Sequence, residues 1–335
     1  MDKTTVERFA AGLPANIFGL AEGAQFTVRC TPLLGGFHHL NYKIVIDGND
    51  ETAFVARLAA TPHHAATLRN EHWYISQLGR GIAPEVVYSN DETPLGPLVI
   101  SRFYAGSHKV VAKLADDEIR RLAVKIRAVH GITSHQFSVG DAEKPSRTGT
   151  FRDYARLNVA VNIDDAYQLA KSARHDEQLV TAARSLLGEL LADPDPAWEG
   201  DVFSLCHGDI GDGNLLWTAD DVRLIDWDGA NFGDPANEIA YIFAINNTDD
   251  HFQSVFLEAY LDGTADREGM LKRLPAYVLR NRLFDTVWAI GKVQEAIAGG
   301  SLIKTPVEEC RAMYEERRRN LQVYLNYLHE PSLKA

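Results

Sequence analysis

Between residues 206 and 214 the chain reads Cys206-His207-Gly208-Asp209-Ile210-Gly211-Asp212-Gly213-Asn214, a Gly-rich run between two apolar segments. Asp209 and Asn214 are five residues apart, and Asp226 follows twelve residues after Asn214. Leu215–Trp217 and Val222–Ile225 bracket the turn Thr218–Asp221 and read as a hairpin. Folding that hairpin brings its two ends, Asn214 and Asp226, side by side. Two oxygen donors converging there suit Mg2+, which takes a few protein oxygens and completes its shell with phosphate oxygens and water. Asp209, just ahead of the hairpin, is then placed to take the proton of an attacking hydroxyl. A metal beside an acceptor base is the chemistry of phosphoryl transfer.

The elements that must hold these residues divide the chain near residue 102. Residues 26–103 read mostly as strands, at 26–30, 41–46, 53–58, 86–88 and 98–103, with one helix around 65–78 inserted after the third. Asp47-Gly48 is a hairpin turn signal. Gly35-Gly36 leads into Asn41-Tyr42 as a turn, Arg57 falls on the third strand and Glu71 on the helix that follows it. Beyond residue 110 the pattern turns helical, at 118–130, 152–174, 176–192, 236–246, 251–262, 275–298 and 306–328, with a short apolar strand at 202–205. The expectation is an α+β fold with a nucleotide-binding lobe over 1–102 and a catalytic and substrate-binding lobe over 103–335.

His207-Gly208-Asp209 followed by Asn214, and then Ile225-Asp226-Trp227 followed by Gly233-Asp234-Pro235 and Glu238-Ile239-Ala240, resemble the signature of aminoglycoside phosphotransferases and choline/ethanolamine kinases. These families are small-molecule relatives of the protein kinases, and the resemblance covers about residues 30–300. It implies a protein-kinase-like two-lobe fold, a small antiparallel N-lobe sheet with one helix and a larger, mostly helical C-lobe. It implies ATP and Mg2+ as cofactors, Asp209 as catalytic base, His207 as a brace for the loop, and Asn214 and Asp226 as metal ligands. Asp234 and Glu238 become architectural or substrate-proximal. Gly35, Gly36 and Asn41 belong to the nucleotide loop, and Arg57 pairs with Glu71. The arginine resembles the choline/ethanolamine branch, where aminoglycoside phosphotransferases carry lysine. Ile100–Phe103, with Ser101 and Phe103, falls where the backbone meets the nucleotide base. The stretch Arg280–Ile290 is similar to the helix that presents an aromatic residue to a cationic head group. Trp288 therefore reads either as a cation–π partner or as a core aromatic, and Asp285 one turn earlier as an added carboxylate.

Composition narrows the alternatives. The 335 residues are 45% hydrophobic and 24% charged, the proportions of a globular chain. Lys and Arg number 34 against 46 Asp and Glu, a net charge of −12, and residues 201–250 hold eleven acids and one base. Such a surface repels nucleic-acid phosphates. Three scattered cysteines make neither a disulfide framework nor a cysteine zinc site. The N-terminus lacks a signal-peptide pattern, and no apolar run approaches the ~18 residues of a membrane span, so the expected location is cytoplasmic. The partner is a small-molecule hydroxyl acceptor, first an amino alcohol such as choline or ethanolamine and second an aminoglycoside or amino sugar. A metal-dependent hydrolase would leave Arg57 and Glu71 without a task, and a protein kinase would need an Ala-Pro-Glu segment after Asp226. A catalytically silent kinase fold is the remaining alternative. Oligomeric state, ATP against GTP, and closure of residues 134–175 over substrate stay open.

Overall fold

Strands whose side chains alternate between core and surface build the first part of the chain. A computed structural model describes residues 3–33, 39–47, 49–59, 61–139, 144–164, 168, 177–264, 266–298 and 306–329. Strands β1 (Val28–Leu33), β2 (His39–Ile46), β3 (Asn49–Ala59), β4 (Val86–Thr93) and β5 (Gly96–Arg102) form one sheet, ordered β1-β2-β3-β5-β4 and antiparallel throughout. Helix α1 (Lys3–Ala11), which the sequence reading did not anticipate, buries Val6 and Ala10 with Phe18, Ile44, Phe54 and Leu58. Helix α2 (Pro62–Ile75) follows β3, with Pro62 in its first turn and Thr61 at its N-cap, where Oγ1 accepts the His64 N–H at 3.4 Å.

The rest is mainly helical: α3 (Asp116–His130), α4 (Phe151–Val159), α5 (Glu177–Ala192), α6 (Pro235–Ile245), α7 (Asp250–Tyr260), α8 (Arg267–Ala298) and α9 (Val307–His329). The remaining strands are β6 (Thr133–Ser134), β7 (Phe203–Cys206), β8 (Leu215–Trp217), β9 (Val222–Leu224) and β10 (Asn231–Gly233). A three-stranded sheet runs β10-β7-β6, and β8 pairs with β9 in a separate hairpin. The expected helix at 152–174 stops at Val159 and passes into a π-turn over Ala160–Asp164. The last helix pair also differs, because α8 begins at Arg267 and runs through Pro275. Met270, Arg273 and Leu274, in the turns before the proline, are buried, and that packing outweighs the missing N–H. No helix among the described residues is long and apolar enough to cross a membrane.

The chain forms two compact units, one of Met1–His108 with Gly213–Ala230 and one of Lys109–Asp212 with Asn231–Ala335. The single division expected at 102/103 differs from this because the β8–β9 hairpin packs with the first unit. Ser107 and Trp217 exchange two backbone hydrogen bonds at 2.9 Å, and the Leu224 N–H donates to Ile82 O at 2.8 Å. A Cβ at Gly106 would come 2.6 Å from Trp217 O, so this close approach requires glycine.

Candidate active site

In the first unit one guanidinium ties a strand, a helix and the hairpin together. Arg57, on β3 and opposite Asn41 of β2, donates from Nη1 to Glu71 Oε1 and from Nη2 to Asp226 Oδ1, both at 2.7 Å. Glu71 lies on the buried side of α2, only 3% exposed, and its Oε1 also accepts the Trp227 N–H at 3.3 Å. The other oxygen, Oε2, is buried with no hydrogen-bond partner. Burial, reinforced by Asp226 and Asp228, pushes the Glu71 carboxyl up to about 7 against the pull of Arg57. Burial works against the Arg57 charge, but Glu71, Asp226 and Asp228 together outweigh it and raise its pKa.

Hairpin pairing positions the expected metal ligands. Leu215 stands opposite Leu224 and Trp217 opposite Val222, and the Ile225 N–H donates to Asn214 O at 3.0 Å. Asn214 and Asp226 therefore flank the open end of the hairpin. Asp226 adopts a left-handed backbone with φ 66° and ψ 69°, and its side chain is 34% exposed. Such a backbone in a non-glycine residue is uncommon and strained. Three carboxylates, Glu71, Asp226 and Asp228, act on one guanidinium, so the cluster carries a surplus of negative charge. With Asn214 it offers oxygen donors only, the set a hard divalent cation takes.

Of the expected nucleotide residues, Gly35 and Gly36 lie outside the described residues. Ser101 pairs with Val55 and Val86 inside the sheet. The Arg102 N–H donates to Glu85 O at 2.8 Å and the Phe103 N–H to Ala53 O at 2.9 Å. The expectation that Ile100–Phe103 offers its backbone to a base is thus corrected for the Arg102 and Phe103 donors, which are engaged within the sheet. Lys43 Nζ sits 4.6 Å from the Phe103 ring centroid.

In the second unit the loop after β7 is held from below by a buried polar chain. Gly208, at φ +83°, turns the backbone between His207 and Asp209. Its N–H donates to Glu238 Oε1 at 2.6 Å. Glu238 Oε2 lies 2.8 Å from His130 Nε2, whose Nδ1 lies 2.7 Å from the Tyr260 hydroxyl. His207 is fully buried, and its Nδ1 accepts the Asp209 N–H at 3.3 Å. The Asp209 carboxylate accepts a 2.6 Å hydrogen bond at Oδ1 from the hydroxyl of Tyr241, on α6. The loop is tied again where Asn246 Nδ2 donates to Ile210 O at 3.0 Å.

Asp234 and Glu238 take the architectural branch of their expectation, and their placement as substrate residues is corrected. Asp234 is fully buried at the N-cap of α6, its Oδ1 accepting the Ala236 N–H at 3.0 Å. Arg273 of α8 grips it with Nε on Oδ2 at 2.7 Å and Nη2 on Oδ1 at 3.1 Å. Glu238 is spent on Gly208 and His130. The two substrate residues expected on α8 each have a charged neighbour. Trp288 is not core, being 44% exposed, and Lys292 Nζ stands 5.4 Å from its ring centroid. Asp285 is bound by Arg317 Nε of α9 at 3.0 Å. Burial raises its carboxyl to about 6 although Arg317 opposes the shift.

The sequence reading missed Tyr241, Asp228 and His130. Asp228 stands two residues past a residue already chosen, and the acid-rich stretch was a usable signal. Tyr241 and His130 reach the loop only through packing of α6 and α3, for which local spacing offers no sign.

Residues 29–272 match the sequence model of the family described as the phosphotransferase enzyme family. No curated protein matches the chain in sequence. Among solved structures, the apo form of a thermostable mutant of aminoglycoside phosphotransferase APH(4)-Ia is 18% identical, with TM-score 0.63 over 96% of this chain and 99% of that one. Spectinomycin phosphotransferase APH(9)-Ia, in complex with ADP and spectinomycin, is 13% identical, with TM-score 0.63 over 97% and 98%. Choline kinase from Cryptosporidium parvum Iowa II is 14% identical, with TM-score 0.59 over 99% of both chains. At these identities the likeness is one of fold.

Proposed function

This chain belongs to the phosphotransferase enzyme family, and from that premise we propose that it moves the γ-phosphoryl group of ATP to a hydroxyl of a small metabolite, with Mg2+ as the required cation. One observation carries the proposal: a single guanidinium, Arg57, bonded at once to the α2 carboxylate Glu71 and to Asp226 at the hairpin's end. Arg57 and Glu71 have no use in a hydrolase built on His207, Asp209 and Asp226.

Asn214 and Asp226 would hold the Mg2+, and the surplus negative charge around Arg57 supports a divalent cation there. When bound, the ion neutralises phosphate charge and aligns the γ-phosphoryl group. Glu71 orients Arg57 toward the nucleotide phosphates, and Asn41, its neighbour across the sheet, borders the same place. Asp209 is the general base. The Tyr241 hydroxyl fixes one carboxylate oxygen and directs the other at the acceptor, while His207 holds the backbone of the loop.

An amino alcohol such as choline or ethanolamine is the acceptor suggested by the sequence, but its two anchors are weakened. Lys292 faces the Trp288 ring, and Asp285 is ion-paired to Arg317. An aminoglycoside or amino sugar is the second reading, favoured by His207-Gly208-Asp209 and Gly233-Asp234-Pro235. Asp209→Ala tests the mechanism. Turnover in a coupled ADP-release assay should vanish while Mg2+-ATP still raises the melting temperature, by the equivalent of about 2.7 kcal/mol at a hundred times Kd. Undiminished turnover would overturn the assignment.

A further inference from the structure

Helix α8 carries a buried charge that has no counter-ion among the described residues. Arg280 is 6% exposed. Its Nη1 donates to Asn281 Oδ1 at 2.6 Å, and its guanidinium lies 5.0 Å from the Phe284 ring centroid. Its Nε is buried with no hydrogen-bond partner. Among the described residues no carboxylate forms an ion pair with it. Three other buried or half-buried guanidiniums differ: Arg273 has Asp234 and Asp266, Arg317 has Asp285 and Glu316, and Arg57 has Glu71 and Asp226. An uncompensated buried charge is costly, and Arg keeps its charge throughout the physiological range.

The location of Arg280 gives that charge a use. Asn281 Nδ2 donates to the backbone and side-chain oxygens of Asn237 at 3.2 and 3.3 Å, which fastens α8 to α6 one turn before Tyr241. Tyr241 in turn bonds Asp209. Arg280 therefore stands on the helix face turned to α6, and its charge acts on Tyr241, Tyr154 and Tyr277. Arg282, on the same helix, also has a buried Nε without a partner. Arg280, Arg282 and Arg317 together set three positive charges against the carboxylates of Asp285 and Glu316. A purely cationic acceptor would meet like charge here.

We propose that Arg280 docks a carboxylate of the acceptor, so that the substrate is a small hydroxylated carboxylic acid whose hydroxyl is presented to Asp209. This rests on Asp209 being the general base. A planar guanidinium matches a carboxylate through paired hydrogen bonds, and such a contact fixes the acceptor's orientation as well as its affinity. The transfer itself is unaltered: the acceptor oxygen bonds to the γ-phosphorus, the bond from that phosphorus to the ADP oxygen breaks, and the hydroxyl proton passes to Asp209.

The test compares matched acceptors with and without a carboxylate, namely glycerate against glycerol, glucuronate against glucose and carnitine against choline, with glycerol phosphate as a further arm. ADP release is measured for the wild type, Arg280→Met and Arg280→Lys, and thermal shifts with the same compounds are read in the presence of Mg2+-AMP-PNP. The carboxylate member of at least one pair should be preferred by roughly a hundredfold in kcat/KM. Arg280→Met should erase the preference and Arg280→Lys should keep part of it. If no acceptor turns over, a thermal shift by a carboxylate in the wild type that is lost in Arg280→Met still supports the assignment. Equal use within every pair, a preference that survives Arg280→Met, preference for glycerol phosphate alone, or no shift with any carboxylate would overturn it. Should the methionine variant misfold, the lysine variant carries the comparison. Failure of the wild type to bind Mg2+-ATP would instead sink the kinase reading, which separates the two.

Discussion

Asp209 is presented by three contacts of different kinds: a hydroxyl on its carboxylate, an imidazole on its backbone N–H, and a glycine turn before it. The Tyr241 bond is the one that acts on the reacting group. A hydrogen bond to a charged group contributes about 1.5–3 kcal/mol, so Tyr241→Phe should lower kcat roughly ten- to a hundredfold while leaving KM for ATP within about twofold. Steady-state kinetics with both substrates varied would read the split, and a loss confined to KM would exclude the positioning role. Asp285 makes a second prediction at this scale. Its carboxyl holds a proton more tightly in the folded chain than in the unfolded one, so its contribution to stability is largest below about pH 4 and is lost as pH rises through about 6. Asp285→Asn stays neutral, so its melting temperature should fall less than that of the wild type between pH 4 and 7. Parallel profiles would contradict the shift. The pairing of Asn214 with Asp226 was legible in the sequence because a tight hairpin joins them through local spacing, and the turn ahead of Asp209 because Gly208 marks it. Tyr241 was not, because only the packing of α6 brings its hydroxyl to Asp209.

At the scale of elements, α6 shows how a residue that looks catalytic can be structural. Asp234 caps the helix, Pro235 opens it and Arg273 neutralises the cap from α8. Removing Asp234 leaves Arg273 only the exposed carboxylate of Asp266, at a cost of about 3 kcal/mol, the lower end of the range for breaking a buried pair. Asp234→Ala should lose stability of that order in urea unfolding, yet keep its acceptor KM at temperatures where it remains folded. A large rise in KM with unaltered stability would restore the substrate role. Hairpin β8–β9 and the helices around α6 were readable from apolar periodicity and turn residues. Helix α1 was passed over because it is short and has only two buried positions. The early start of α8 was hidden because proline is a sound reason to begin a helix, and only the burial of Arg273 and Leu274 overrides it.

At the scale of the molecule, the first unit is assembled from two stretches of sequence, and the hairpin 213–230 completes it. Residues 1–108 alone lack the strand partner of Ser107, the Asp226 carboxylate on Arg57 and the Trp227 N–H on Glu71. A chain of 1–108 should therefore melt broadly by circular dichroism, whereas 1–108 joined to 213–230 by a flexible linker should regain a sharp transition. A sharp transition in the shorter chain would show the hairpin to be dispensable. The sequence signalled the change from sheet to helix near residue 103, but a hairpin returning to the earlier unit leaves no mark in composition.

That return also sets an order of events at the ribosome. About a hundred residues separate His108 from Gly213. At roughly 5–20 residues per second, the first unit waits about 5–20 s for its closing hairpin while the intervening helices emerge. Throughout that interval Arg57 is without Asp226 and Ser107 without Trp217. The first unit thus cannot close until the first half of the second has been made, and the second in turn must wait for residues 231–335.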